Sequence, residues 1–120
     1  MTIPAHHNAV LVTGGTGGLG SVICSRLLAE GFRVAMSDVD VSTLDAAAQR
    51  LANPELMFCK LDVTKPSDFE RVLDQISERW GGIGVLVNNA ALTRTTPLFD
   101  ISPEEFDAVT AVALKGTFIG

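Results

Sequence analysis

The sequence predicts an α/β fold, a doubly wound parallel sheet with helices on both faces. Short runs that are apolar throughout alternate along the chain with segments whose apolar residues have helical spacing. A strand that is apolar on both faces must be covered on both faces, as in a parallel sheet between two helical layers. Four such strand–helix units fit in the 120 residues, so we expect the first four βα units of such a sheet.

Local sequence signals place the four strands of the chain and the first two helices. The strands are expected at residues 9–12, 32–36, 56–59 and 85–87. The first helix covers residues 19–30, and Gly31 is expected to end it as a C-terminal cap. Ser42 or Thr43 can cap the second helix, which is expected to end near Leu51.

The second half continues the alternation. Thr64 or Ser67 is expected to open a third helix, which the Gly81-Gly82 pair ends. Ser102-Pro103 and the two glutamates after it predict a fourth helix, which continues to the end of the sequence. No linker or repeat divides the chain, so we expect residues 1–120 to form one Rossmann-like three-layer sandwich. That domain is expected to be incomplete, with the apolar fourth strand at an edge of the sheet.

The composition excludes several classes of function. The chain has 9 basic and 14 acidic side chains, a net charge of −5, and this argues against nucleic-acid binding, which needs a cationic surface. No apolar run approaches the roughly 18 residues of a membrane-spanning helix. With 47% apolar residues the chain is not expected to be disordered.

Residues 1–8 contain no Lys or Arg before the first apolar run, so they do not indicate a secretory signal. Cys24 and Cys59 lie in apolar segments and are expected to be buried free thiols, which fits a reducing, cytoplasmic setting. The pair His6-His7 has no Cys, Asp or Glu within four residues, so we expect no metal site there.

The most informative segment is the glycine-rich turn, residues 13–20, between the first strand and the first helix. Glycines allow positive φ angles and let a pyrophosphate approach the backbone, and the helix N-terminus attracts an anion. A phosphate-binding P-loop would end in Gly-Lys-Ser/Thr, but Gly20 is followed by Ser21-Val22. The turn therefore predicts a dinucleotide site, with a merely flexible loop as the structural alternative.

The glycine spacing alone does not select one dinucleotide-binding pattern. Three patterns fit the turn: G-x-G-x-x-G at Gly15, Gly17 and Gly20; T-G-x-x-G-x-x-G at Gly14, Gly17 and Gly20; and T-G-x-x-x-G-x-G at Gly14, Gly18 and Gly20. The residues that follow the turn have to distinguish them.

Asp38 ends the second expected strand, 20 residues after Gly18, where a dinucleotide fold places an acid on the adenosine ribose. A carboxylate at this position would repel the 2′-phosphate of NADP. No Arg or Lys lies in the glycine turn or between Ser37 and Arg50 to offset that repulsion. We therefore expect NAD, with NADP disfavoured by Asp38.

Taken together, these residues resemble the short-chain dehydrogenase/reductase family, and the resemblance covers about residues 9–120. The matching segments are the T-G-x-x-x-G-x-G turn at Thr13, Gly14, Gly18 and Gly20, the pair Asp62-Val63 after the third strand, and Asn88-Asn89-Ala90-Ala91 after the fourth. The resemblance implies that Asp62-Val63 holds the adenine and that the asparagine segment lines the ribose and nicotinamide. The double asparagine makes the sequence resemble the compact branch of the family, because members of the extended branch lack this pair.

The sequence departs from the family pattern at two positions. Ala91 replaces the usual glycine. Residues 106–118 resemble the family's W-D-x-V-x-x-V-N-L-x-G-x-F run, but Ala113 stands at the asparagine, which in relatives bends the helix and positions a water of the proton relay. A methyl group can neither donate nor accept a hydrogen bond, so we expect this link to be missing.

The resemblance implies a serine and a Tyr-x-x-x-Lys pair as the catalytic groups, beyond the part of the family that this sequence matches. The sequence has no tyrosine, so we assign no catalytic residue and expect these 120 residues alone to be inactive. The expected cofactor-binding residues are Gly14, Thr16, Gly17, Gly18, Leu19, Gly20, Asp38, Asp62, Val63, Asn89 and Ala90.

The leading hypothesis is the cofactor-binding half of an oxidoreductase that transfers hydride between NAD(H) and a secondary alcohol or ketone. The alternative is a non-catalytic dinucleotide-binding protein or an inactive remnant of the family. The expected partners are the dinucleotide and, for a full-length parent, a small-molecule alcohol or ketone and further copies of itself. Nucleic acid and membrane are not expected as partners.

Overall fold

A computed structural model describes residues 8–120, so the predictions for residues 1–7, including His6-His7, lie outside the described residues. The strands are β1 (Ala9–Val12), β2 (Arg33–Asp38), β3 (Leu56–Lys60) and β4 (Val85–Val87). The helices are α1 (Gly18–Ala29), α2 (Val41–Arg50), α3 (Pro66–Trp80), α4 (Pro103–Thr110) and α5 (Gly116–Ile119). A short 3-10 turn, Leu98–Asp100, precedes α4, and a π-helical turn, Ala111–Lys115, joins α4 to α5.

The four strands form one parallel sheet in the order β3-β2-β1-β4. In the register of the sheet, Leu11 of β1 is the partner of Ala35 on one side and of Leu86 on the other. The strand order reverses direction beside β1, as it does at the switch point of a doubly wound fold. The predicted α/β class and the parallel sheet are confirmed, and β4 lies at an edge of the sheet as expected.

Each face of the sheet has its own hydrophobic core, because successive side chains of a strand point to opposite faces. Val10 and Val12 pack on the face covered by α1 and α2, together with Cys24. Leu11 packs on the opposite face, which α3 covers, together with Cys59. All four residues of β1 are buried, which is why the run reads as apolar throughout.

The two cysteines are buried and unpaired, as predicted. Burial raises the pKa of each thiol, Cys24 and Cys59, to about 11, so both remain neutral near pH 7. The thiols therefore behave as small apolar core groups.

The predicted N-terminal caps of α2 and α3 were wrong. Asp40, not Ser42 or Thr43, caps α2, and its carboxylate accepts from the Ser42 N–H at 2.8 Å. Helix α3 starts at Pro66 without a side-chain cap, since the hydroxyl of Thr64 donates to Asp62 instead. Proline is suited to a first turn because its missing N–H would have no partner there.

The predicted helix ends and the start of α4 were correct. Gly31 and Gly81 follow α1 and α3 with φ angles of 89° and 84°, values that favour glycine. Ser102 caps α4 by accepting from the Glu105 N–H at 3.1 Å. The last predicted helix is not α-helical throughout, because the π-helical turn separates α4 from α5. Among residues 8–120, no helix has the length and apolar character needed to cross a bilayer.

Candidate functional site

The carboxyl ends of the four parallel strands border a cavity of about 800 Å³. It is bounded by the glycine turn, by the segments after β2, β3 and β4, and by α4 with the first residues of the π-helical turn. Every residue predicted to bind the cofactor lines this cavity except Thr16. Cavities of this size at a switch point are typical small-molecule sites.

Two glycines of the turn are needed for close packing. Gly14 has a φ of 62°, a conformation that side chains rarely adopt. A Cβ on Gly20 would overlap the carbonyl oxygen of Gly14 and would lie 2.8 Å from Nδ2 of Asn89. The turn and the first residues of α1 are therefore tightly folded on themselves.

Gly18 differs, because a Cβ built on it would meet nothing within 4 Å. Gly18 lines the cavity, so the missing side chain leaves room at the N-terminus of α1. A ligand group can approach the backbone there without contacting a side chain.

The first turn of α1 lines the cavity and contains unpaired backbone donors. Within residues 8–120, nothing accepts a hydrogen bond from the N–H groups of Gly18, Leu19 or Gly20, whereas the Ser21 N–H donates to the Gly17 carbonyl at 2.9 Å. Gly17 offers no side-chain cap, and the first turn contains no acidic residue. Unpaired N–H groups and the positive end of the helix dipole favour an anion at this position.

A hydrogen-bond network fixes the glycine turn against the segment after β4. The buried hydroxyl of Thr13 accepts from the N–H groups of Asn89 at 3.1 Å and Ala90 at 3.0 Å. The Asn89 side-chain amide donates to the carbonyls of Thr13 and Gly14, each at 3.1 Å. Asn89 thus holds the turn from the segment after β4, more than 70 residues away in the sequence.

Asp38 lies at the end of β2 and lines the cavity. Its Oδ1 accepts from the Val39 N–H at 2.8 Å, and its Oδ2 accepts from the Thr16 hydroxyl at 2.6 Å and from the Thr16 N–H at 3.3 Å. Thr16, the predicted binding residue outside the cavity lining, therefore contacts Asp38.

Asp62 provides the second cavity-lining carboxylate, two residues after β3. Its Oδ1 accepts from the N–H of Thr64 at 3.0 Å and from the Thr64 hydroxyl at 2.7 Å, a local Asx turn. The Asp62 N–H in turn donates to Asp68 at 2.9 Å, and this hydrogen bond is the main cause that lowers the pKa of Asp68.

The sequence reasoning missed the wall opposite the glycine turn. Ala108, Ala111 and Val112 line the cavity from α4 and the π-helical turn. In the sequence these residues have small apolar side chains three and four positions apart. That spacing is equally typical of a helix face buried in a hydrophobic core, so it did not indicate a cavity wall. No Lys or Arg is among the cavity-lining residues in the part of the chain that the structure describes, so Asp38 and Asp62 are the charged side chains there.

Comparison with known proteins identifies the family. Residues 8–120 match the family model described as short chain dehydrogenase. The chain belongs to this family. Its members are oxidoreductases, and the family binds a nicotinamide dinucleotide.

The similar proteins are longer than this chain. An uncharacterized oxidoreductase from Mycobacterium bovis is 40% identical over 111 residues, which are 92% of this chain and 45% of that protein. The sorbitol dehydrogenase of Cereibacter sphaeroides is 35% identical over 107 residues, 89% of this chain and 41% of that protein. The chain thus spans less than half the length of these curated relatives.

A solved structure has the same fold. The short-chain dehydrogenase/reductase "SDR:Glucose/ribitol dehydrogenase" from Brucella melitensis superposes with a TM-score of 0.88 at 28% sequence identity. The match covers 99% of this chain and 51% of that structure. The Rossmann-like architecture predicted from the sequence is therefore confirmed.

Proposed function

We propose that the chain is the cofactor-binding half of a NAD-dependent short-chain dehydrogenase/reductase. The unpaired N–H groups of Gly18, Leu19 and Gly20, three residues that line the cavity, carry this proposal. When bound, the nicotinamide dinucleotide would supply the hydride donor or acceptor. The residues described below bind and orient it.

Each part of the cofactor has a matching group in the cavity. The N–H groups of the first turn of α1 suit the diphosphate, as helix N-termini suit other anions. Asp38 suits the adenosine ribose, which offers hydroxyl donors to a carboxylate. Asp62-Val63 and Asn89-Ala90 line the cavity where family resemblance assigns the adenine and the nicotinamide riboside.

The charges of the cavity favour NAD over NADP. Its charged lining residues in the described part of the chain are the carboxylates Asp38 and Asp62. A 2′-phosphate beside Asp38 would be repelled, and such like-charge contacts cost several kcal/mol. No cationic side chain of the lining would compensate for this repulsion.

For the whole protein we make broader proposals about its substrate, its cellular setting and its assembly. We propose a secondary alcohol or ketone as substrate, supported by the sorbitol dehydrogenase among the relatives. Two buried, unpaired thiols are consistent with a reducing, cytoplasmic setting. Self-association is proposed only for a longer parent. Nucleic acid is disfavoured as a partner by the net charge of −5.

A non-catalytic dinucleotide-binding protein is the second candidate. Ala113 favours it, because the exposed methyl in the π-helical turn cannot replace the hydrogen bonds of an asparagine amide. The absence of tyrosine from these 120 residues also means that the chain alone should not turn over substrate. A spectrophotometric NADH assay of the pure chain tests this expected inactivity, which both candidates share, and sustained turnover would contradict it.

Calorimetric titration with NADH tests the proposed function. We expect saturable binding by the unaltered chain. Gly18→Val should abolish it, because the new side chain would extend into the space beside the helix N-terminus without meeting protein atoms. Ser25→Val is the matched control, since it places a valine at an exposed position of the same helix and should preserve binding. Equal binding by both variants would overturn the assignment of this site.

A further inference from the structure

We infer that Thr16 is a positioning residue, which fixes the Asp38 carboxylate in the orientation needed to accept a ribose hydroxyl. This inference rests on the proposed function and deepens it, because it assigns part of the preference for NAD to a side chain that does not line the cavity. The evidence for this positioning role is that the Thr16 hydroxyl donates its single proton to Oδ2 of Asp38.

The Thr16 hydroxyl donates its proton to the Asp38 carboxylate. A hydroxyl group has one proton to donate, and the 2.6 Å contact with Oδ2 of Asp38 uses it. Charge-assisted hydrogen bonds of this length are about twice as strong as neutral ones. Thr16 therefore has no hydroxyl proton left for a phosphate oxygen, although it lies in the turn that is proposed to bind the diphosphate.

The two oxygens of Asp38 are held from different segments of the chain. Oδ1 accepts from the Val39 N–H, in the residue that follows Asp38, while Oδ2 accepts from the glycine turn 22 residues earlier. A carboxylate offers about four acceptor positions, and the N–H and O–H groups of Thr16 and Val39 occupy three of them. The carboxylate is thereby fixed in rotation with an acceptor position still open.

The hydroxyl of Thr43 supports the same arrangement from α2. It lies 2.9 Å from the Thr16 hydroxyl and 2.8 Å from the Asp40 carbonyl. Because the Thr16 proton is donated to Asp38, the Thr16–Thr43 hydrogen bond forms when Thr43 donates its proton to Thr16 rather than to Asp40. The Thr16 oxygen is thus held between Asp38 and Thr43, which narrows the range of its side-chain rotation.

The second carboxylate of the cavity shows what is particular about Thr16. Asp62 is held by Thr64, two residues later, in a turn that would form whatever the position of other segments. Asp38 is held by a residue of the anion-binding turn itself. Thr16 therefore couples the geometry of the turn proposed to hold the diphosphate to that of the carboxylate proposed to hold the ribose.

The test is calorimetric titration of the chain and its variants with NADH and, separately, with NADPH. Thr16→Val removes the donor at nearly constant volume and should weaken NADH binding about fivefold, since one charge-assisted hydrogen bond of the carboxylate is lost. NADPH binding should change less than about twofold, because the less restrained carboxylate can move away from the 2′-phosphate. Thr16→Ser keeps the hydroxyl and should restore the affinity and the selectivity.

Two controls separate positioning from a loss of structure. Thr117→Val makes the same substitution at an exposed position of α5 and should leave both affinities unchanged. In an Asp38→Ala background, Thr16→Val should have no further effect, because the group through which it acts is gone. An equal loss for NADH and NADPH in Thr16→Val, or an unchanged affinity for NADH, would overturn the inference.

The failure of the proposed function would look different. In that case the unaltered chain would not bind NADH at all, and both the proposed function and the role of Thr16 would be rejected. If the unaltered chain binds NADH and Thr16→Val binds it equally well, only the inference about Thr16 fails.

Discussion

The glycine turn, residues 13–20, and the helical wall, residues 108–112, line the same cavity but are held in different ways. Thr13 is 1% exposed, and its hydroxyl contacts the segment after β4. The helical wall instead belongs to a segment whose large apolar side chains are on the surface, with Phe106 61% exposed and Phe118 86% exposed.

This difference predicts different responses to substitution. A change in the glycine turn disturbs close backbone contacts and hydrogen bonds of the buried Thr13 hydroxyl. A change on the outer side of the helical wall alters groups that water can reach, where substitutions usually have small effects. Matched substitutions in the two regions therefore test whether the turn is the rigid part of the site.

The largest effect is expected from Gly20→Ala. Its methyl group would overlap the Gly14 carbonyl and crowd Asn89, so the free energy of unfolding should fall by about 3 kcal/mol, a typical upper value for overpacking. Gly18→Ala is the matched control, since its methyl group meets nothing within 4 Å and should not reduce stability. Urea denaturation measures both, and equal effects would contradict the packing described for the turn.

A smaller effect is expected from Thr13→Val. This change leaves the Ala90 N–H without its acceptor, while the Asn89 N–H keeps the Val87 carbonyl at 3.0 Å, so the free energy of unfolding should fall by about 2 kcal/mol. The same substitution at Thr117, an exposed residue whose hydroxyl donates to the Ala113 carbonyl, should cost less than about 0.5 kcal/mol. Similar losses at both positions would remove the distinction between the two regions.

The smallest effect is expected from Ala113→Asn, which introduces the family's residue into the π-helical turn. Ala113 is exposed, so the free energy of unfolding should change by less than about 0.5 kcal/mol. Thermal denaturation measures this change. The turn forms with alanine at this position, so its geometry does not depend on the asparagine side chain. A stabilisation well above 1 kcal/mol would show that the asparagine contributes strongly to this segment.

Much of the cavity could be predicted from the sequence, because parallel strands bring their carboxyl ends to one edge of the sheet. Knowing that Asp38 ends a strand and that Asp62 and Asn89 each follow one was enough to place them near the glycine turn. The local spacing of apolar residues likewise predicted every strand.

Features that depend on contacts between distant segments could not be predicted in this way. The sequence does not show that Thr16 reaches Asp38, since that contact depends on how the turn lies against the end of β2. The Asp40 cap was missed because Ser42 and Thr43 are equally good capping types two and three residues later. The π-helical turn was missed because its residues keep an ordinary helical pattern of apolar side chains.

An NMR titration of the 15N-labelled chain with NADH tests directly whether the first turn of α1 binds the diphosphate. We expect the amide signals of Gly18, Leu19 and Gly20 to shift most strongly and in proportion to saturation, because their unpaired N–H groups bind the diphosphate. The signals of exposed α5 residues such as Thr117 should remain in place. Saturating NADH that leaves the three glycine-turn amides unchanged, or that shifts α5 instead, would contradict diphosphate binding at this turn.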